Sequence, residues 1–140
     1  MIRNILAVIA GFVAGSLVNG LLVTVGPSLI PPPPGVDLTT MEGMKAGIPL
    51  LQAQHFIFPF LAHALGTLVG ALVAAVISVG HKLKVALVLG VIFLIGGIAA
   101  SFMIPAPVWF IAVDLIFAYI PMAWIAAKLA GADKPNQSMA

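Results

Sequence analysis

Four long stretches of apolar residues divide the chain, each closed by proline, glycine or charged residues. They cover residues 5–26, 58–79, 85–104 and 108–127. Each has about 20 residues, enough for an α-helix to cross the ~30 Å hydrocarbon layer of a bilayer. None alternates polar and apolar residues as a barrel strand does, and an open strand would leave backbone amides unpaired in lipid. The pattern predicts four transmembrane helices.

The connection between the first two stretches, residues 27–57, is the longest and has features of its own. Its four consecutive prolines favour a stiff polyproline II conformation. Thr39 and Glu42 match a capping box and predict a short helix over residues 40–47. A connection of this length is either functional or a plain spacer, and the sequence leaves both open. The other two connections are so short that the helices they join must be antiparallel neighbours.

Composition supports the same environment, because 62% of the residues are hydrophobic and 7% are charged. Soluble domains carry about 25% charged residues. Six basic and four acidic side chains cannot cover a water-facing surface for 140 residues. We therefore predict a single all-α domain, an antiparallel four-helix transmembrane bundle with a loop of about 30 residues and a polar tail over 128–140. There is no cysteine, which excludes disulfides and thiolate metal sites.

The basic residues are spread along the chain, which excludes nucleic-acid binding, since that requires grouped positive charge. With four crossings, all of them except Lys45 fall on one side of the membrane. Basic residues favour the cytoplasmic side, so we predict that both termini are cytoplasmic and the 27–57 loop lies outside. The first stretch exceeds the 7–15 residues of a signal-peptide core, and we expect it to remain as a helix. The cytoplasmic set is Arg3, Lys82, Lys84, Lys128 and Lys134.

Three of the predicted helices carry a strongly polar side chain at a similar depth. Asn19, His63 and Asp114 each lie five to seven residues from the outer end of their stretch, or about 8–11 Å below that boundary. Ser101 of the third helix lies slightly closer to it. Small residues share the face of each polar side chain, and such faces pack against other helices. We predict an intramembrane polar cluster of these four residues.

Asp114 is the most costly member of this cluster, because a central aspartate costs about 2.5–3.5 kcal/mol on the insertion scale. Pro121 weakens the same helix by freeing the carbonyl of Phe117, and is expected to kink it. Such a helix needs a partner for its acid, and His63 is the best candidate. Two interpretations stay open. The polar residues hydrogen-bond as glue between helices, or they form a proton or ligand site, the usual meaning of ionisable residues in a membrane.

Glycines at four-residue spacing suggest the first of three functions. Gly11 and Gly15, with Gly66 and Gly70, offer more close-packing surface than one four-helix core needs. We predict a non-enzymatic module that forms a homo-oligomer or serves as an accessory subunit of a larger membrane complex, with membrane lipids around it.

Two alternatives use the polar cluster instead. The first is a proton-linked transporter or channel based on Asp114 and His63, supported by a weak pseudo-repeat of two helix pairs. The second, which ranks lowest, is a lipid-processing enzyme at the outer leaflet.

No catalytic, cofactor or metal signature accompanies these residues. Two axial histidines on separate helices could hold a haem, but His55 and His63 share one segment and His81 lies at the far side. Zinc held by His55, His63 and Asp114 would have the form of a catalytic site, yet His55 lies near the membrane boundary, where it more simply anchors the helix. No serine lies in a nucleophile elbow. We predict no cofactor, no metal and no catalytic residue.

Three segments carry a resemblance to other proteins: IPPPPGVD at 30–37, FPFLAHALGTLVGA at 58–71, and WFIAVD followed by YIPMAW between 109 and 124. Together they resemble a group of small four-helix bacterial membrane proteins to which no function is assigned. The resemblance covers most of the chain. It implies a location in the bacterial inner membrane and brings no activity with it.

Overall fold

The computed structural model describes residues 1–132, and all regular structure within that range is helical. Four helices there are long and apolar enough to cross a membrane: Ile2–Leu29, Ala53–Ile77, Lys82–Met103 and Val108–Leu129. The prediction of an all-α chain with four helices of membrane-spanning length is confirmed. Most of the predicted polar tail, 128–140, lies outside the described residues.

Six α-helices and two short 3-10 helices make up the described range. The 3-10 helices cover Ile48–Leu50 and Ala53–Phe56. The α-helices are α1 (Ile2–Leu29), α2 (Met41–Gly47), α3 (Ile57–Ile77), α4 (Lys82–Met103), α5 (Val108–Phe117) and α6 (Ile120–Leu129). We call the end of the molecule that carries residues 30–56 the loop end, and the end that carries residues 78–81 the turn end.

Helix α1 is longer than its apolar stretch at both ends. At its start, Arg3 Nε donates to the carbonyl of Ile77 at 2.8 Å, and Asn4 accepts from the backbone N–H of Val79 at 2.9 Å. These bonds tie the polar first turn to the end of α3, so the helix begins before the hydrophobic run.

The prediction that Pro27 ends the first helix was wrong, because α1 continues through it to Leu29. A proline in the last turn removes only one helical hydrogen bond, and the N–H of Ile30 still donates to the carbonyl of Gly26 at 2.9 Å. Gly26 also lets Phe58 pack directly against the backbone there, which stabilises the extended end.

Helices α1 and α3 make the most extensive contact of any two elements, and glycine is the reason. Gly11 lies against the backbone carbonyl of Gly70, and Gly15 against that of Gly66. A β-carbon added at Gly15 would come within 2.5 Å of the Gly66 oxygen and 2.9 Å of the Phe93 ring. The four glycines that suggested a surplus packing surface therefore contact one another inside one chain.

The interior contains small residues and the surface contains large apolar ones. The main core is mostly alanine, with Leu89 as its largest fully buried side chain. Leucine, isoleucine, valine and phenylalanine face outward along α1 and α4. A water-soluble protein of this size does not leave so much contiguous apolar surface exposed, whereas lipid is a suitable solvent for it.

The fourth predicted helix is two helices, α5 and α6, separated at Ala118 and Tyr119. Pro121 is the second residue of α6, where its missing N–H costs nothing to α6 but ends the hydrogen-bond ladder of α5. The expected distortion at Pro121 is present, but it is a break between two helices and not a kink in one continuous helix.

The loop end contains the short helix predicted over 40–47, but with a different cap. Thr40 accepts from the N–H of Gly43 at 3.0 Å, whereas Thr39 was the predicted N-cap. The N–H and hydroxyl of Thr39 instead donate to the carboxylate of Asp37, at 2.8 and 2.6 Å. These two hydrogen bonds lower the pKa of Asp37 from its ordinary value, because they favour the charged carboxylate.

The loop end folds back onto the helices. Ile48 is buried with Phe56 and Phe110, and Met44 packs against the same group. His55 links the polyproline segment to the start of the second spanning helix, since its Nε2 lies within hydrogen-bond distance, 3.1 Å, of the carbonyl of Pro31. Much of the apolar side of this segment therefore faces the protein, which places a cover over the ends of α1, α3 and α5.

Candidate functional site

The centre of the candidate site is a contact between α3 and α5. His63 Nδ1 and Asp114 Oδ1 share a hydrogen bond of 2.8 Å. Asp114 is 5% exposed, while the side chain of His63 keeps 28% of its surface accessible. Both residues lie six positions after the start of their helix at the loop end, which brings them to the same level. The pair thus has a buried acid and a reachable imidazole.

Tyr119 completes the centre, although the sequence did not single it out. Its hydroxyl donates to the second carboxylate oxygen of Asp114 at 2.9 Å, and its ring stacks on His63 with centroids 5.9 Å apart. In a continuous helix, residues five apart do not share a face. The break before α6 turns Tyr119 back toward Asp114. A signal was present, since Tyr119 is the one tyrosine in the sequence and lies two residues before Pro121.

Helix α4 makes room for this cluster through a glycine. A β-carbon on Gly97 would meet the hydroxyl and ring of Tyr119. Gly97 therefore allows the phenol to fold back toward Asp114, so α4 shapes the site through close packing.

The other two predicted members border the pair without bonding to it. Within residues 1–132, Ser101 donates only to the carbonyl of Ile98 in its own helix, at 2.7 Å, and lines a small cavity of about 50 Å³ with His63 and Asp114. Asn19 lies beside Gly66. In the described range it makes no hydrogen bond to either residue of the pair, but it lines a cavity with His63.

His63 lines two larger cavities. The first, which we call the loop cavity, has about 270 Å³ and lies under the cover at the loop end. Its lining is mainly apolar and includes Phe56, Phe58 and Phe110. The second, the polar cavity, has about 290 Å³ and lies between α1, α3 and α4. Its polar lining is Ser16, Asn19, Thr67 and Tyr119.

Two stacked aromatic rings line the polar cavity on the side of the turn end. Phe12 of α1 and Phe93 of α4 stack with centroids 5.4 Å apart and planes 16° from parallel. Both rings belong to the lining of the polar cavity. His63 and the Phe12–Phe93 stack therefore bound this cavity from opposite ends.

The net charge of the His63–Asp114 pair depends on one proton. A hydrogen-bonded imidazole and carboxylic group that share one acidic proton are neutral overall, as an ion pair or as two neutral groups. Loss of that proton leaves one net negative charge, which is expensive in a low-dielectric interior unless a cation compensates it. A cation bound beside the pair would therefore compete with this proton.

The other histidines of the described range lie apart from His63 and Asp114. No three of its His, Asp or Glu side chains lie close enough to hold a metal ion. Both ring nitrogens of His55 lie within hydrogen-bond distance of the loop backbone, and His81 lies at the turn end.

Fold and site together define a small multi-pass membrane protein with a carboxylate, an imidazole and a phenol in contact between its helices. No protein-family model, no curated protein and no solved structure matches the chain.

Proposed function

We propose that this protein is a proton-linked transporter that exchanges a lipophilic monovalent cation for one proton at His63 and Asp114. The observation that carries the proposal is the position of the hydrogen-bonded pair, with the acid buried and the imidazole between the loop cavity and the polar cavity. Intramembrane ionisable residues that face a cavity commonly mark a substrate or proton path.

The substrate class follows from the lining of the loop cavity. Apolar walls with Phe56, Phe58 and Phe110 suit a lipophilic body, and aromatic faces attract a quaternary ammonium group. The cation enters as the pair releases its proton, so the net charge at the site stays at zero. Tyr119 stabilises the carboxylate of Asp114 in the deprotonated state by donating its hydroxyl hydrogen.

The membrane arrangement that goes with this function is an antiparallel four-helix bundle in a bacterial inner membrane. The distribution of basic residues favours an orientation with both termini and the turn end in the cytoplasm and the 27–57 loop outside. In that orientation the loop cavity faces the outside, while the polar cavity lies deeper, with the Phe12–Phe93 stack on its cytoplasmic side.

Proton exchange can be measured in proteoliposomes that contain a trapped pH-sensitive dye. When tetrapropylammonium is added outside vesicles with the wild-type protein, its exchange for an internal proton is expected to make the interior alkaline, which the trapped dye reports. Asp114→Asn keeps the shape of the side chain but cannot release a proton, and we expect it to lower the flux at least about tenfold, as loss of an essential proton-transfer group does.

The matched control is Glu42→Gln, which removes a carboxylate from exposed α2 at the loop end. It should leave the flux unchanged. Equal flux in wild type and in Asp114→Asn, or equal loss in both variants, would remove the proposal.

A non-enzymatic oligomer or accessory subunit remains a competing proposal, but the glycine packing surface that suggested it now gives it less support. The glycine faces that suggested it lie between α1 and α3 of one chain. The mass of the protein in mild detergent separates the two, since the exchange mechanism needs no second copy. The outer-leaflet lipid enzyme stays the lowest proposal, because within residues 1–132 His63 and Asp114 have no serine hydroxyl bonded to them.

A further inference from the structure

A second feature lies at the turn end, away from the polar centre. Between the first turns of α1 and α4 the structure has a groove of about 840 Å³, within the size range of pockets that hold small molecules. We call it the basic groove. It is independent of the proposed transport function.

Its mouth carries basic side chains. Arg3, His81 and Lys84 line it, and its lining contains no carboxylate. Arg3 is held in place through Nε, which donates to the carbonyl of Ile77 at 2.8 Å. The terminal guanidinium nitrogens make no hydrogen bond to residues 1–132. Lys84 is exposed and likewise makes no hydrogen bond or ion pair within that range.

Its walls are apolar. Ile5 and Ile9 of α1 face Val88 of α4 across the groove, and they are 56%, 54% and 50% exposed. These residues extend from the basic mouth toward the middle of the two helices. The groove is thus charged at the level of the membrane surface and apolar at the level of the hydrocarbon.

We infer that the basic groove binds an anionic phospholipid. Its phosphate would lie against Arg3 and Lys84, and one acyl chain would lie along Ile5, Ile9 and Val88. Arginine and lysine between helices at the inner membrane surface attract anionic headgroups, and the guanidinium matches the geometry of phosphate. A soluble anion would use the mouth but gain nothing from the apolar walls, which is why a lipid is the ligand that fits both parts.

Native mass spectrometry of the delipidated full-length protein tests this inference. Phosphatidylglycerol is expected to bind more tightly than phosphatidylethanolamine. Each basic residue near the surface contributes enough that Lys84→Gln should weaken phosphatidylglycerol binding about fivefold, and Arg3→Gln with Lys84→Gln about 25-fold.

The informative single variant is Lys84→Gln, because Lys84 makes no bond in the described range that the fold needs, whereas Arg3 also anchors α1. Lys128→Gln removes the same charge at the same end of the molecule but outside the groove, and it should retain wild-type binding. The inference fails if the two lipids bind equally, if Lys84→Gln binds like wild type, or if Lys128→Gln loses as much as Lys84→Gln. It also fails if inorganic phosphate displaces the lipid completely, since the site would then recognise the anion alone.

Discussion

Replacing Gly15 by leucine is expected to separate α1 from α3 and to lower the free energy of unfolding by about 3 kcal/mol or more, the upper end for overpacking a close contact. The reason is steric. A β-carbon at this position would lie 2.5 Å from the carbonyl oxygen of Gly66, and a backbone atom cannot rotate away as a side chain does. Unfolding in a detergent mixture, followed by circular dichroism, measures the change.

Gly20 provides the matched control, since it lies in the same helix and a β-carbon there would meet nothing within 4 Å. Gly20→Leu should fold as well as wild type, and helix propensity gives it a gain of up to about 1 kcal/mol. If Gly15→Leu were as stable as Gly20→Leu, the α1–α3 contact would be wrong. If Gly15→Leu stayed folded but had a lower mass in mild detergent, the glycines would instead lie between copies of the chain.

Removing either member of the His63–Asp114 pair is expected to cost about 3 kcal/mol, because buried Asp114 or buried Tyr119 then lacks a hydrogen-bond partner. His63→Leu leaves the carboxylate with Tyr119 alone, and Asp114→Leu leaves the imidazole and phenol without an acceptor. The double variant removes both polar groups and should lose less than the two single losses together. A coupling of about 1–3 kcal/mol is the usual range for groups in direct contact.

Ser101→Ala serves as the control in the same region, since the serine hydroxyl bonds only within its own helix in residues 1–132. Its effect should stay within about 0.5 kcal/mol. Additive losses in the double variant would contradict the contact between His63 and Asp114.

The helices were predictable because lipid leaves few choices. A run of about 20 apolar residues has to satisfy its own backbone, and only a helix does so. Helix ends were less predictable, since they depend on tertiary bonds. From the sequence, the polar residues Arg3 and Asn4 are expected to precede the helix. In the structure they belong to it, because Arg3 donates to the carbonyl of Ile77 and Asn4 accepts from the N–H of Val79.

Competition between local bonds explains the misplaced cap. Thr39 and Thr40 are both good N-cap residues, and the sequence favoured Thr39 because Glu42 follows at capping-box spacing. The nearby Asp37 occupies the Thr39 hydroxyl, and Thr40 takes over the cap. Local pattern could identify the short helix but not which threonine was already engaged.

The polar centre was partly predictable for a similar reason. Counting residues from the helix ends placed His63 and Asp114 at one depth, and their contact in the structure agrees with that count. Tyr119 depended on the break between α5 and α6, whose direction no periodicity describes. Depth alone also grouped Asn19 and Ser101 with the pair, whereas contact requires the correct rotation of each helix as well.

The most direct test of the central claim, four membrane crossings with the loop on one side and the turn end on the other, uses the absence of cysteine from the sequence. Single cysteines placed by Lys45→Cys, His81→Cys and Lys128→Cys can be labelled with a membrane-impermeant maleimide in intact and in permeabilised bacterial cells. Lys45→Cys is expected to be labelled in intact cells, whereas His81→Cys and Lys128→Cys are expected to be labelled only after permeabilisation. Equal labelling of Lys45→Cys and His81→Cys in intact cells would contradict it.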